Sequence, residues 1–284
     1  MIKNKITLYL CVIFCWMISG CGWLEDKIYY DNDKLIIQGE NYIENGETLE
    51  IPAGTTVEFK TSGELAPLAL HFGKHGRLII RNGGVIIAQG TAENPIYLND
   101  YPISNGICFV NSNTQESVFE YCEFVKGFDG INIESSTVKM EHCKFDFLHS
   151  PYDYQDNSPF SYEGAEGDFT FRYNYVEVCC LNVKNKCLIE YNYFNDAGVF
   201  FYNDYNIASS DYPIIQYNNI VNNAGPPVKL CFPEGGAVEN LTINYNYIAN
   251  CNGKTGVDTD GSQCENVIHQ NPQTSFIAEA GCGW

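Results

Sequence analysis

Two pairs of charged side chains have spacings that acid–base chemistry can use. In Gly256-Val257-Asp258-Thr259-Asp260-Gly261 the two carboxylates stand two positions apart. On a strand such positions share a face, about 6 to 7 Å apart, near the separation at which a carboxylate pair works as acid and base in glycoside hydrolysis. The same phrase also reads as an Asp-Gly turn or a weak Ca²⁺ site, and Ca²⁺ is the one cofactor it raises. Arg77 and Arg81, four apart in Arg77-Leu78-Ile79-Ile80-Arg81, share the strand face opposite Leu78 and Ile80. They are expected to be exposed, where they can meet substrate carboxylates or simply solubilise an outer face.

A second chemistry is sugar recognition. The stretch 149–168 carries Tyr152, Asp153, Tyr154, Asp156 and Tyr162, and the stretch 202–212 carries Tyr202, Tyr205 and Tyr212. Aromatic rings beside carboxylates suit sugars, whose C–H faces stack and whose hydroxyls hydrogen-bond. The alternative is that these rings pack on the wall of the fold. His71, His75, His142, His149 and His269 have no metal-ligand spacing, so no metal site is expected. There is no Gly-x-Ser-x-Gly, phosphate loop or dinucleotide fingerprint.

The elements that must position these groups are set by a returning phrase. Tyr121-Cys122-Glu123-Phe124, His142-Cys143-Lys144-Phe145, Tyr173-Asn174-Tyr175-Val176, Tyr191-Asn192-Tyr193-Phe194, Tyr217-Asn218-Asn219-Ile220 and Tyr245-Asn246-Tyr247-Ile248 start 21, 31, 18, 26 and 28 residues apart. That loose period is a solenoid's, and the short alternating Val/Ile/Phe/Tyr runs around each copy make the unit a turn of strands. Parallel strands stacked about 4.8 Å apart put equivalent positions above one another. The second slot then predicts an Asn ladder continued downward by Cys122 and Cys143, and the fourth slot predicts an inward apolar column. The interruptions at 149–168 and 202–212 are expected to be loops projecting on one face.

This pattern resembles the right-handed parallel β-helix proteins of the pectate-lyase-like superfamily. Ile51-Pro52-Ala53-Gly54-Thr55 and Ala88-Gln89-Gly90-Thr91 with Asn94-Pro95-Ile96 are similar to the opening turns of envelope β-helix proteins. The resemblance implies an all-β, single-domain right-handed parallel β-helix, a solenoid of roughly eight or nine turns. Thr259-Asp260-Gly261 looks like part of the polygalacturonase-type Asn-Thr-Asp-Gly motif, with Asp258 in place of the Asn. The family's later Asp-Asp, Gly-His-Gly and Arg-x-Lys motifs have no counterpart after it.

The chain has 284 residues, 45% of them hydrophobic, enough for a sizeable core. Lys3 and Lys5, the apolar run Ile6 to Ile18 and Ile18-Ser19-Gly20-Cys21 read as a signal peptide. The tetrapeptide is similar to the lipobox of bacterial lipoproteins, which implies lipidation of Cys21 and anchoring in the cell envelope. The expected organisation is a signal over 1–20, a tether and cap over 21–45, and the β-helix over 46–284. Sixteen basic against 35 acidic residues give a net charge of −19. Such a surface repels nucleic acid and polyanions unless cations intervene. Ten cysteines remain after Cys11, Cys15 and Cys21 are set aside. The even number in an exported chain predicts at least one disulfide, with Cys251, Cys264 and Cys282 as candidates at the C-terminal end.

The expected function is a membrane-anchored lipoprotein of the outer membrane or cell surface that binds polysaccharide. The alternatives are a polysaccharide hydrolase or lyase, using Asp258 with Asp260 or Arg77 with Arg81, and a purely structural or adhesin-like surface protein.

Overall fold

The computed structural model describes residues 26–60, 76–99, 106–125, 130–146, 160–163, 167–177, 180–183, 187–202, 213–222, 228–232, 242–249, 256–257 and 263–266. Every regular element among them is a strand, and the strands form three sheets of ten, eight and ten. Sheet I runs from Lys27–Asp31 to Tyr247–Ala249, and sheet II from Thr48–Ile51 to Thr242–Asn244. Sheet III begins at Glu40–Ile43 and ends on Gln263–Asn266 and Gly256–Val257.

The chain visits the sheets in rotation. Val138–Glu141 lies in sheet II, Lys144–Asp146 in sheet I and Phe160–Glu163 in sheet III, after which Phe169–Arg172 returns to sheet II beside Val138–Glu141. Nearly all neighbours are therefore parallel and one circuit apart. The exceptions lie at the two ends: Lys27–Asp31 is antiparallel to Lys34–Gln38, and Gln263–Asn266 is antiparallel to both Val228–Phe232 and Gly256–Val257. This arrangement is compatible with the β-helix-like coil expected from the repeat.

Alternation within each short strand decides which side chains enter the core. In Phe169-Thr170-Phe171-Arg172 and Cys187-Leu188-Ile189-Glu190 the first and third residues are buried and the second and fourth are partly exposed. In-register stacking turns these positions into columns. One runs Phe119, Met140, Phe171, Ile189, Ile215, and another runs Leu98, Phe124, Phe145, Val176, Phe194, Ile220. The second column holds the fourth residue of each repeat, buried up to Ile220, with Ile248 packed against its end. Phe124 and Phe145 stack with ring centroids 4.6 Å apart, the spacing of the strands that carry them.

The corner between sheets II and I carries the predicted ladder. Asn192 Oδ1 accepts from the Asn174 backbone N–H at 2.9 Å, and Asn192 Nδ2 donates to the Phe171 carbonyl at 2.9 Å. Asn174 does the same for Cys143 N–H and Met140 O, and Asn218 for Asn192 N–H and Ile189 O. Asn246 continues the pattern with Asn218 N–H and Ile215 O. All four amides are at most 1% exposed, so each satisfies backbone groups that water does not reach. In the two layers below, Cys143 Sγ lies 3.5 Å from the Phe119 carbonyl and Cys122 Sγ 3.4 Å from the Ala88 carbonyl. Those carbonyls occupy the same register column as Met140, so the thiol takes over the donor half of the amide's work. Cys122 and Cys143 are buried, as are Cys108 and Cys187. Burial, reinforced by the neighbouring Cys143, raises the Cys122 thiol pKa well above its ordinary value and keeps it a protonated donor.

The ladder yields a graded prediction. Asn192→Ala strands a buried N–H and a buried carbonyl and is expected to cost about 3 kcal/mol. Asn192→Cys keeps a donor for Phe171 O and is expected to cost roughly half as much. Urea unfolding of the three proteins checks the order, and equal losses in both variants contradict it.

Candidate functional site

The residue preceding each ladder position turns the corner. Tyr121, His142, Tyr173, Tyr191, Tyr217 and Tyr245 all have positive φ, between 49° and 58°. The left-handed conformation costs a side chain with Cβ about 1 to 2 kcal/mol, so something must offset it six times. Their rings form one continuous stack: Tyr121–His142, His142–Tyr173, Tyr173–Tyr191, Tyr191–Tyr217 and Tyr217–Tyr245 have centroids 4.8, 5.1, 5.2, 5.2 and 5.1 Å apart. Interplanar angles are no more than 8°. Each ring contact contributes on the order of 1 kcal/mol beyond its area, which matches the scale of the backbone cost. The rings are half-buried except Tyr245, which is 48% exposed.

Two polar columns flank the aromatic one. On the sheet II side Gln89 donates to Glu120 at 3.2 Å, and Gln216 donates to Glu190 at 3.1 Å. Between them Arg172 pairs with Glu141, which also lies 3.4 Å from Lys139, and reaches Glu190 at 3.7 Å. On the sheet I side Tyr175 and Tyr193 stack at 5.6 Å, and Asn195 Nδ2 lies 3.4 Å from Glu177. Burial works to raise the Glu141 carboxyl pKa, but Arg172 and Lys139 together hold it below its usual value. Burial pushes the Tyr191 phenol up, aided by Glu190 and by the neighbouring Tyr173 and Tyr217. Burial also raises Tyr175, with Glu177 adding to it. These phenols remain neutral hydrogen-bond donors at neutral pH.

The expected basic pair is on one face and both guanidinium groups have neighbours, although Arg77 Nε is buried without a hydrogen-bond partner. Arg77 Nη2 lies 3.1 Å from Cys108 Sγ and Arg77 Nη1 is 4.0 Å from Glu40. Arg81 Nε is 2.5 Å from Glu44, and its guanidinium lies 4.1 Å from the Tyr42 ring centre. Ile79 between them is buried although it shares their face, with Tyr42 and Cys108 beside it in register.

Of the remaining sequence candidates, Cys21, Tyr152, Asp153, Tyr154, Asp156, Tyr205, Tyr212, Asp258 and Asp260 lie outside the described residues. Tyr162 belongs to the strand Phe160–Glu163, at the register position shared by Ile133 and Val183, so this part of 149–168 is sheet and not loop. Tyr202 ends the strand Gly198–Tyr202, opposite Cys231. Sequence reasoning placed the aromatic surface on insertions and missed the corner column. The signal was in the first slot of the repeat, an aromatic residue six times out of six. Among the described residues no three His, Cys, Asp or Glu side chains converge as a metal site. No helix among the described residues is long and apolar enough to cross a membrane.

No family model, curated protein or solved structure matches this chain. The case for function therefore rests on the corner itself.

The Glu141 cluster carries a pH prediction. A carboxyl held below its ordinary value contributes stability that is present above that value and lost as pH falls through the folded-state pKa. Glu141→Gln is expected to lower stability by about 2 kcal/mol at pH 7, with the gap to wild type closing below about pH 4. Chemical unfolding at several pH values measures it; a gap that does not change with pH rejects the assignment.

Proposed function

We propose that this protein is an envelope-anchored lipoprotein with a right-handed parallel β-helix domain that binds polysaccharide. The observation that carries the reading is the corner column of six aromatic residues, bordered by carboxylates and amides repeated layer after layer. A repeating ligand is best met by a repeating surface, because each layer offers the same donors and acceptors at the same pitch. The eight strands of sheet II give one layer per circuit, in keeping with a solenoid of eight or nine turns. The net charge of −19 disfavours nucleic acid and uronic polymers as partners and favours uncharged glycans.

The binding reading is preferred to lyase chemistry at Arg77 and Arg81 because their guanidinium groups already face Glu40 and Glu44; the hydrolase pair Asp258 and Asp260 lies outside the described residues. A glycan-array screen of the detergent-solubilised full chain, with and without Ca²⁺, tests it while released sugar is followed in parallel. Binding without product is the expected result. Turnover that Asp258→Ala with Asp260→Ala abolishes establishes an enzyme instead, and silence across all glycan classes leaves a structural surface protein.

Anchoring and cross-linking belong to the same proposal. Cys231 and Cys264 stand directly opposite in the antiparallel pair at the end of sheet III, a placement whose Cα spacing suits a disulfide. Peptide mass mapping of the unreduced protein from the envelope is expected to find an acylated Cys21 at the N-terminus and a Cys231–Cys264 linked peptide. An intact, unlipidated N-terminal segment removes the anchor from the proposal.

A further inference from the structure

A stacked ring cannot stack on anything else. His142, Tyr173, Tyr191 and Tyr217 each have a neighbour on both faces at 4.8 to 5.2 Å, so the half-buried rings offer solvent their edges. The usual way in which tyrosine holds a sugar, face against C–H face, is closed along the column. What repeats instead is polar: a phenol in five of six layers, beside Glu120, Glu141, Arg172, Glu190 and Gln216 on one flank and Glu123, Lys144, Tyr175, Tyr193 and Tyr247 on the other, where Asn219 is buried.

Resting on the polysaccharide-binding reading above, we propose that this corner takes an extended, uncharged β-linked glycan laid along the stacking direction, one sugar per layer. The chain is held by hydrogen bonds from its hydroxyls to phenols and carboxylates, not by ring stacking. Three observations point this way. The pitch of the column is the strand spacing, and a sugar in an extended β-1,4-linked chain advances by close to the same distance. Parallel register keeps that pitch constant over six layers, from Tyr121 to Tyr245, and because successive sugars of an extended β-1,4-linked chain are turned over, the same hydroxyls return to equivalent groups at every second layer without accumulating mismatch. The flanking acidic groups accept hydrogen bonds from neutral hydroxyls and repel uronates, while the cations beside them stand next to carboxylates: Arg172 is shared between Glu141 and Glu190, Lys139 lies 3.4 Å from Glu141, and Lys144 is in register with Glu123.

Hydroxyl-based recognition has a signature that face stacking lacks. Replacing Tyr121, Tyr173 and Tyr245 together by Phe keeps every ring and removes three phenols. We expect the triple variant to unfold at the wild-type temperature and to bind a β-1,4-linked glucose hexamer at least tenfold more weakly in calorimetric titration. For wild type, the association constant is expected to rise with each added sugar from two to about six, the number of layers, and then to level. Unchanged affinity in the Phe variant, or an affinity already complete at two sugars, overturns the inference. So does binding confined to charged glycans, although the broader polysaccharide reading then stands. Absence of binding to any glycan class defeats both.

Discussion

The structure depends on satisfying buried backbone groups where the chain leaves one sheet and enters the next. Within a sheet, backbone N–H and C=O groups pair with those of the neighbouring layers. At the corner between sheets II and I the strand direction changes, and the N–H of the second repeat residue and a carbonyl two or three residues back point into a dry interior. Asn174, Asn192, Asn218 and Asn246 bridge both to adjacent layers with side-chain amides. An amide is the shortest side chain with a donor and an acceptor in one plane. The layers thus hold one another, and none of these four residues completes its bonds without the layer above or below.

The rest of the corner follows from that bond. To aim the amide inward, the preceding residue adopts a left-handed backbone, an unusual conformation for a bulky aromatic residue. Stacking offsets the backbone cost because in-register layers bring the rings to the distance at which aromatic surfaces meet. Here the aromatic column and the amide ladder are two products of one turn repeated six times. Where the second slot becomes Cys122 or Cys143, the thiol still donates to the layer below, and the corner is preserved with a weaker and smaller group.

The same repetition gives the outer surface its chemistry. Charges that stand in one column must be neutralised within it or repel at strand spacing. Arg172 between Glu141 and Glu190, with Gln89 and Gln216 beside glutamates, is that neutralisation. The outcome is a face whose charges are met by neighbours in the same column. Arg77 and Arg81, which sequence spacing offers as substrate-binding cations, are drawn into Cys108, Glu40, Glu44 and Tyr42 for the same reason.

The repeated phrase by itself determined that the chain is built of short parallel strands, that the fourth slot faces the core and that asparagines in the second slot form a ladder. These follow from alternation and from the fixed spacing of parallel strands, which are local properties. Tertiary structure decided what spacing along the chain does not encode. It put Tyr162 in a strand at the register of Ile133 and Val183, because pairing with the neighbouring layers outweighs the loop-like composition around it. It turned six first-slot residues, separated by 18 to 31 positions in sequence, into a single stack whose faces are closed and whose edges are open. Whether a tyrosine offers its face or its hydroxyl is set by what lies one strand spacing above and below, and that is a property of register.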